Sequence, residues 1–175
     1  ADFDKGLDAF NKGDYATALK EWKPLAEEGD AVAQHNLALM YQNGWGVPED
    51  DKEAVYWYKL AAEQGDAKAQ YNLGVMYDVG EGVPQDDKEA VRWYTLAAEQ
   101  EHAKAQYNLG VMYALGEGVI KDYVYAHMWG NIASMNGNDK GETLRGYVAE
   151  KMTSSQIEEA QRLARKCIKK NYKGC

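Results

Sequence analysis

Apolar residues recur along the chain at the spacing of one face of an α-helix. Ala33, Leu37, Met40 and Tyr41 stand at positions i, i+4, i+7 and i+8. A helix places side chains at this spacing on one side, where they can be buried against a neighbouring element. The segment is therefore predicted to be a helix with a core-facing side.

A break and a second helix are predicted to follow. Gly44 and Gly46 favour a turn, and Pro48 cannot continue a helix. Asp50 and Glu53 have the spacing of a capping box that begins the second helix. The apolar stripe of this helix is made of Ala54, Trp57, Tyr58, Ala61 and Ala62.

The helix, loop and helix recur as an internal repeat with a period of 36 residues. Residues 31–66 align without gaps to residues 67–102 and match at 24 of 36 positions. A third, divergent copy occupies residues 103–139, with Ile120 in place of the loop proline and one extra residue. It follows Glu101 and His102, where the first copy has Gly and Asp. Since one such hairpin cannot bury both of its apolar faces, neighbouring copies must stack.

Both ends of the chain are predicted to be capping elements. Residues 1–30 form a shorter helical pair, in which Pro24 is expected to kink the second helix or displace its start. Residues 140–175 form the C-terminal capping helices and a basic tail, and Thr153 with Gln156 makes a capping box. The pattern predicts an all-α fold, an α-solenoid of helix-loop-helix repeats with about ten helices.

These repeated residues resemble the Sel-one-like repeat family, a longer-looped relative of the tetratricopeptide repeat. The matching pattern is A-x-A-Q-x-x-L-G-x-M-Y-x-x-G-x-G-V, followed by D, K, E, A, W, Y, A, A, E, Q and G, over residues 31–139. The resemblance implies a right-handed superhelix whose first helices line a concave surface. It also implies a non-enzymatic adaptor that binds a protein or an extended peptide. Because some cysteine-rich relatives have been associated with β-lactam or peptidoglycan-fragment binding, a cell-wall fragment or β-lactam binding protein or hydrolase is the alternative.

Three asparagines, one in each repeat, are the leading candidates for partner contacts. Asn36, Asn72 and Asn108 each precede a core leucine, and analogy with tetratricopeptide proteins places them in the groove. A row of side-chain amides can bond both sides of an extended peptide backbone. The alternative is that each asparagine bonds a neighbouring helix and braces the stack.

Further candidates flank the asparagines on the same predicted face and would add aromatic, aliphatic and basic contacts. They are His35, Tyr71, Tyr107, Leu39, Val75, Val111, Lys68 and Lys104. The alternative is that the tyrosines pack between repeats and the lysines are solvated. Trp45 replaces the loop glutamates of the other copies and is either a contact for a partner or folded back over its own repeat.

No pattern typical of a catalytic or metal site is present. The closest two of the three histidines, His102 and His127, are 25 residues apart, and no serine stands in a G-x-S-x-G motif. No glycine-rich loop matches a phosphate or dinucleotide fingerprint. We therefore expect no enzyme activity, no metal and no cofactor.

The charge of the chain argues against nucleic acid as a partner. Twenty Lys and Arg stand against 28 Asp and Glu, a net charge of -8, which has the wrong sign for binding phosphates. No apolar run approaches the roughly 20 residues of a membrane-spanning helix. The expected partner is a protein or an extended peptide, and a monomer is favoured.

Cys167 and Cys175 are the only cysteines. A helix through both would separate their Cα atoms by about 12 Å, beyond the roughly 7 Å that a disulfide tolerates. A disulfide therefore requires the helix to end near Asn171 and the tail to turn back at Lys173 and Gly174. With Ala1 in place of a methionine, we expect a mature chain that has lost a signal peptide and lies in the bacterial periplasm or outside the cell; the alternative is two free thiols.

Overall fold

The computed structural model describes all 175 residues, and its secondary structure consists of ten α-helices without a strand. The all-α fold and the expected number of helices are confirmed. In chain order the helices are α1 (Phe3–Asn11), α2 (Tyr15–Glu27), α3 (Ala31–Asn43), α4 (Asp51–Glu63), α5 (Ala67–Val79), α6 (Asp87–Ala98), α7 (Ala103–Leu115), α8 (Tyr123–Met135), α9 (Asp139–Ala149) and α10 (Ser154–Lys169).

The chain divides into two compact units, Ala1–Gln85 and Asp86–Cys175. In the first unit α1 packs on α2, α2 on α3, and α4 on both α3 and α5. In the second unit α6 packs on α7, and α8 packs on α7, α9 and α10. Each repeat begins with one helix of the odd series α3, α5 and α7, which we call the first helices, and continues with α4, α6 or α8.

Each unit has its own apolar core, built from the residues that the periodicity predicts. The fully buried large side chains of the first unit are Trp22, Leu37, Met40, Tyr58, Leu73 and Met76. Those of the second unit are Tyr94, Leu109, Met112, Met128, Trp129 and Ile132. The recurring Trp57, Trp93 and Trp129 are all buried, as their position in the apolar stripe predicts.

The predicted helix starts are confirmed, with one difference. Asp50 precedes α4, and its side chain accepts the backbone N–H groups of Lys52 and Glu53. No reciprocal bond from the Glu53 side chain completes a capping box there. The full reciprocal box is formed by Thr153 and Gln156 at the start of α10.

Pro24 does not displace the start of its helix, contrary to one of the two expected outcomes. The helix α2 runs from Tyr15 to Glu27 with the proline inside it. Trp22 and Ala26, on either side of Pro24, are each 1% exposed. Their burial holds both parts of the helix against the core and outweighs the single hydrogen bond that proline cannot make.

The third repeat keeps the spacing of the others although its residues differ. His102 takes the capping position, and its Nδ1 accepts the N–H of Ala105 at 3.3 Å. Glu101 has a φ of 64°, a left-handed conformation that costs energy for a residue with a Cβ atom. Asn138 caps α9 in the same way, so the caps at 102 and 138 are again 36 residues apart and leave no room for the extra residue expected in this copy.

The C-terminal tail folds back as the disulfide requires. The last helix ends at Lys169, and Asn171 and Tyr172 have φ angles of 50° and 62°. This turn brings the Cα atoms of Cys167 and Cys175 to 5.5 Å, and the disulfide between them is formed. None of the ten helices has both the length and the apolar character needed to cross a membrane.

Candidate binding surface

In the first unit, most of the residues predicted to contact a partner lie on a partly exposed side of α3 and α5. Asn36 and Leu39 on α3 are half-buried. Tyr71, Asn72 and Val75 on α5 are also half-buried, and Lys68 near the start of α5 is exposed. These positions combine amide, aliphatic, aromatic and basic groups that solvent, and hence a partner, can reach.

The same pattern recurs on α7 in the second unit. Tyr107, Asn108 and Val111 are half-buried and Lys104 is exposed. Tyr107 and Val111 also pack against the buried cluster that contains Leu144. Part of each of these two side chains therefore belongs to the core, and only the remainder is available to a partner.

Asn72 forms a hydrogen bond inside its own unit. The Tyr58 hydroxyl donates to Gln42 Oε1 at 2.8 Å and has a second hydrogen bond with the Asn72 side chain. Because the hydroxyl has a single proton, the Asn72 amide is the donor of this second bond. Burial raises the pKa of Tyr58, and the bond from Asn72 offsets part of that rise. Asn72 thus links α5 to α4 and, through Tyr58, to α3.

His35 lies below the exposed side, not on it. Its side chain is 9% exposed, and its Nδ1 lies 3.6 Å from Asp66 Oδ1. Its ring packs on Tyr58 with a centroid distance of 5.7 Å. Burial lowers the pKa of His35, the Asp66 carboxylate partly opposes this effect, and Lys68 adds to it. The imidazole therefore belongs to the contact between α3 and the start of α5.

Trp45 packs on the N-terminal helical pair. Its ring stacks on Tyr15 with a centroid distance of 5.7 Å and meets the edge of Phe10 at 5.3 Å. Phe10 in turn packs on the buried Trp22. The indole is half-buried in this cluster. It therefore packs on the N-terminal helical pair and does not fold back over its own repeat.

A row of buried glutamines was missed by the sequence analysis as a structural feature. Gln34, Gln70 and Gln106 donate through Nε2 to the carbonyl oxygens of Ala26, Ala62 and Ala98 at 3.0, 3.1 and 3.0 Å. The Oε1 atoms of Gln34 and Gln106 accept from Gln64 and Asn136. Each glutamine fastens a first helix to the helix before it. The signal was the glutamine that all three copies share in A-x-A-Q.

The polar candidates on this surface are amides, lysines and half-buried tyrosines. No group of three or more His, Cys, Asp or Glu side chains is placed to hold a metal ion.

A comparison with protein families finds the Sel1 repeat three times, at residues 31–66, 67–102 and 103–138. A comparison with curated proteins gives no significant match.

Solved structures with the same fold come from several bacteria. One is described as a protective antigen of uropathogenic Escherichia coli with an SLR fold. It is 37% identical to this chain with a TM-score of 0.82, and the match covers 89% of this chain and 34% of the Escherichia coli chain. The present chain therefore spans about a third of that protein. A Sel1 repeat protein of Oxalobacter formigenes is 30% identical, with a TM-score of 0.79; the match covers 95% of this chain and 75% of the Oxalobacter chain. The cysteine rich protein B of Helicobacter pylori shares the fold, with 19% identity and a TM-score of 0.59. The match covers 75% of this chain and 94% of the Helicobacter chain.

Proposed function

The chain belongs to the Sel1 repeat family, and from this premise we propose that it is a non-enzymatic adaptor that binds a protein or an extended peptide on its first helices. Sel1 repeats are commonly protein-interaction adaptors. The observation that carries the proposal is the recurrence of half-buried amide, aliphatic and aromatic side chains at equivalent positions of α3, α5 and α7.

The asparagines supply the polar part of the proposed contact. An amide can donate to a peptide carbonyl and accept from a peptide N–H, so it recognises a backbone with little regard to sequence. Asn72 uses one donor on Tyr58, whereas Trp22, which has no hydroxyl group, stands at the equivalent position for Asn36. We therefore assign Asn72 a bracing role as well as a ligand contact, and we test the ligand contact at Asn36 and Asn108.

The flanking residues supply the rest of the contact. Leu39, Val75 and Val111 offer aliphatic surface, and Tyr71 and Tyr107 offer aromatic surface. The exposed Lys68 and Lys104 favour acidic side chains or a carboxylate on the partner.

The proposal predicts separate effects on binding and on stability. Peptides are selected from a random displayed library on the intact chain, and the dissociation constant of the tightest one is measured. Asn36→Ala and Asn108→Ala should each weaken binding about two- to tenfold, the value of one hydrogen bond, with an unchanged melting temperature. Lys59→Ala on α4, an exposed residue outside the proposed surface, is the control. Unchanged affinity in both asparagine variants, or an equal loss in the control, would contradict the proposal.

We also propose that the chain works in the bacterial periplasm or outside the cell. The disulfide between Cys167 and Cys175 is of a kind that persists in an oxidising compartment. Alkylation without reductant, followed by mass spectrometry of the native protein, should modify neither cysteine. Two modified thiols would place the chain in a reducing compartment.

A further inference from the structure

A pocket of about 300 Å³ lies among α8, α9 and α10 in the second unit. It is separate from the residues proposed to bind a partner. The residues that line it come from all three helices and include no carboxylate: His127, Asn131, Met135, Arg145, Gln161, Ala164, Arg165 and Ile168.

Two guanidinium groups give this pocket a positive lining. Arg145 donates through Nη1 to Asn131 Oδ1 at 3.0 Å, and its Nη2 lies 3.5 Å from Glu142 Oε1. The Glu142 side chain is 74% exposed, so water screens most of that attraction. Arg165 is exposed and forms no ion pair, unlike Arg162 one turn earlier, which is held by Glu159. The charge of Arg165 is therefore available to a ligand.

His127 lines the pocket as a buried imidazole. The residue is 4% exposed, and its Nδ1 is buried without a hydrogen-bond partner. Burial, with a smaller effect of Arg145, lowers the pKa of His127, so the imidazole is neutral near pH 7.

Three apolar residues also line the pocket. They are Met135, Ala164 and Ile168. A ligand that uses both the charged and the apolar lining has an anionic end and a short apolar part. The volume is at the lower limit of ordinary small-molecule sites, which suits a molecule of amino-acid to dipeptide size.

We propose that this pocket binds a carboxylate joined to a short apolar group. Arg145 and Arg165 bind the carboxylate, and the apolar lining residues contact the apolar group next to it. The planar fork of a guanidinium matches the two oxygens of a carboxylate, which favours this anion over a spherical one. Two sources supply such a group: the C-terminus of a peptide and a free aliphatic acid.

Titration of the intact, isotope-labelled protein by NMR tests the proposal. The probes are N-acetyl-Ala-Leu with a free carboxylate, the same dipeptide as its C-terminal amide, 4-methylpentanoate and inorganic phosphate. The dipeptide acid should shift the resonances of His127, Arg145 and Ile168, and the amide should not. Tighter binding of the dipeptide acid than of 4-methylpentanoate identifies a peptide terminus as the source, and equal binding identifies any small aliphatic acid. Equal shifts from acid and amide, no shift from either acid, or tighter binding of phosphate would overturn the proposal.

Two variants of α10 provide a matched pair. Arg165→Gln removes an exposed side chain without an internal partner, so the fold should persist while the affinity for the dipeptide acid falls at least about tenfold. Arg162→Gln removes the same charge from the same helix at a position already paired with Glu159 and should leave the affinity unchanged. Equal losses in the two variants would show that only net charge matters and would refute the pocket.

Discussion

Replacement of Gly118 by alanine should destabilise the second unit by about 2–5 kcal/mol. A Cβ atom at this position would lie 2.2 Å from the carbonyl oxygen of Asp87, the first residue of α6. Because the neighbour is backbone, it cannot move aside as a flexible side chain would. The residue also has a φ of +67°, which disfavours alanine independently. Urea unfolding followed by circular dichroism measures the change.

Gly137 is the control that separates these two causes. Its φ is +92°, and an added Cβ atom would meet nothing within 4 Å. Gly137→Ala should therefore show only the conformational part, about 1–2 kcal/mol. An equal loss in the two variants would mean that the loop of the third repeat does not rest tightly on the start of α6.

Gln106→Leu should cost about 1–3 kcal/mol of unfolding free energy, although leucine has a similar size and suits a buried position. Gln106 is 0% exposed. It donates to the Ala98 carbonyl at 3.0 Å and accepts from Asn136 at 2.9 Å. Leucine removes both bonds and leaves the Asn136 amide without this acceptor. The same urea titration measures the effect.

The exposed Gln161 on α10 provides the comparison for Gln106. Gln161→Leu makes the same substitution at an exposed position and should shift stability by less than about 0.5 kcal/mol. A cost for Gln106→Leu no larger than that of Gln161→Leu would show that the glutamine row does not hold the helices together.

Local signals in the sequence predicted most of the fold. Asp50 begins α4 and Thr153 begins α10 because capping depends on residues two to three positions away. The buried stripe of Leu37 and Met40 follows from a 3.6-residue period. The turn before Cys175 follows from the geometry that a disulfide requires. Each of these features is decided within a few residues of chain.

Features that depend on distant residues escaped the sequence analysis. Gly118 was not singled out in the sequence, because its close approach to Asp87 joins positions 31 residues apart. Asn72 appeared as one member of a row, but its bond to Tyr58 has no counterpart in the first repeat, where Trp22 occupies the equivalent position. His127 was considered only as a metal ligand, since its proximity to Arg145 and Arg165 arises from the packing of three helices.

Chemical-shift mapping with a library-selected peptide tests the central claim, that the first helices bind a partner, most directly. The account predicts that the largest backbone amide shifts fall in α3 and α5 (residues 31–43 and 67–79) or in α7 (residues 103–115). Asn36→Ala or Asn108→Ala should reduce the shifts of its own helix. Shifts confined to α4, α6 and α8, or to the terminal helices α1 and α10, would contradict it.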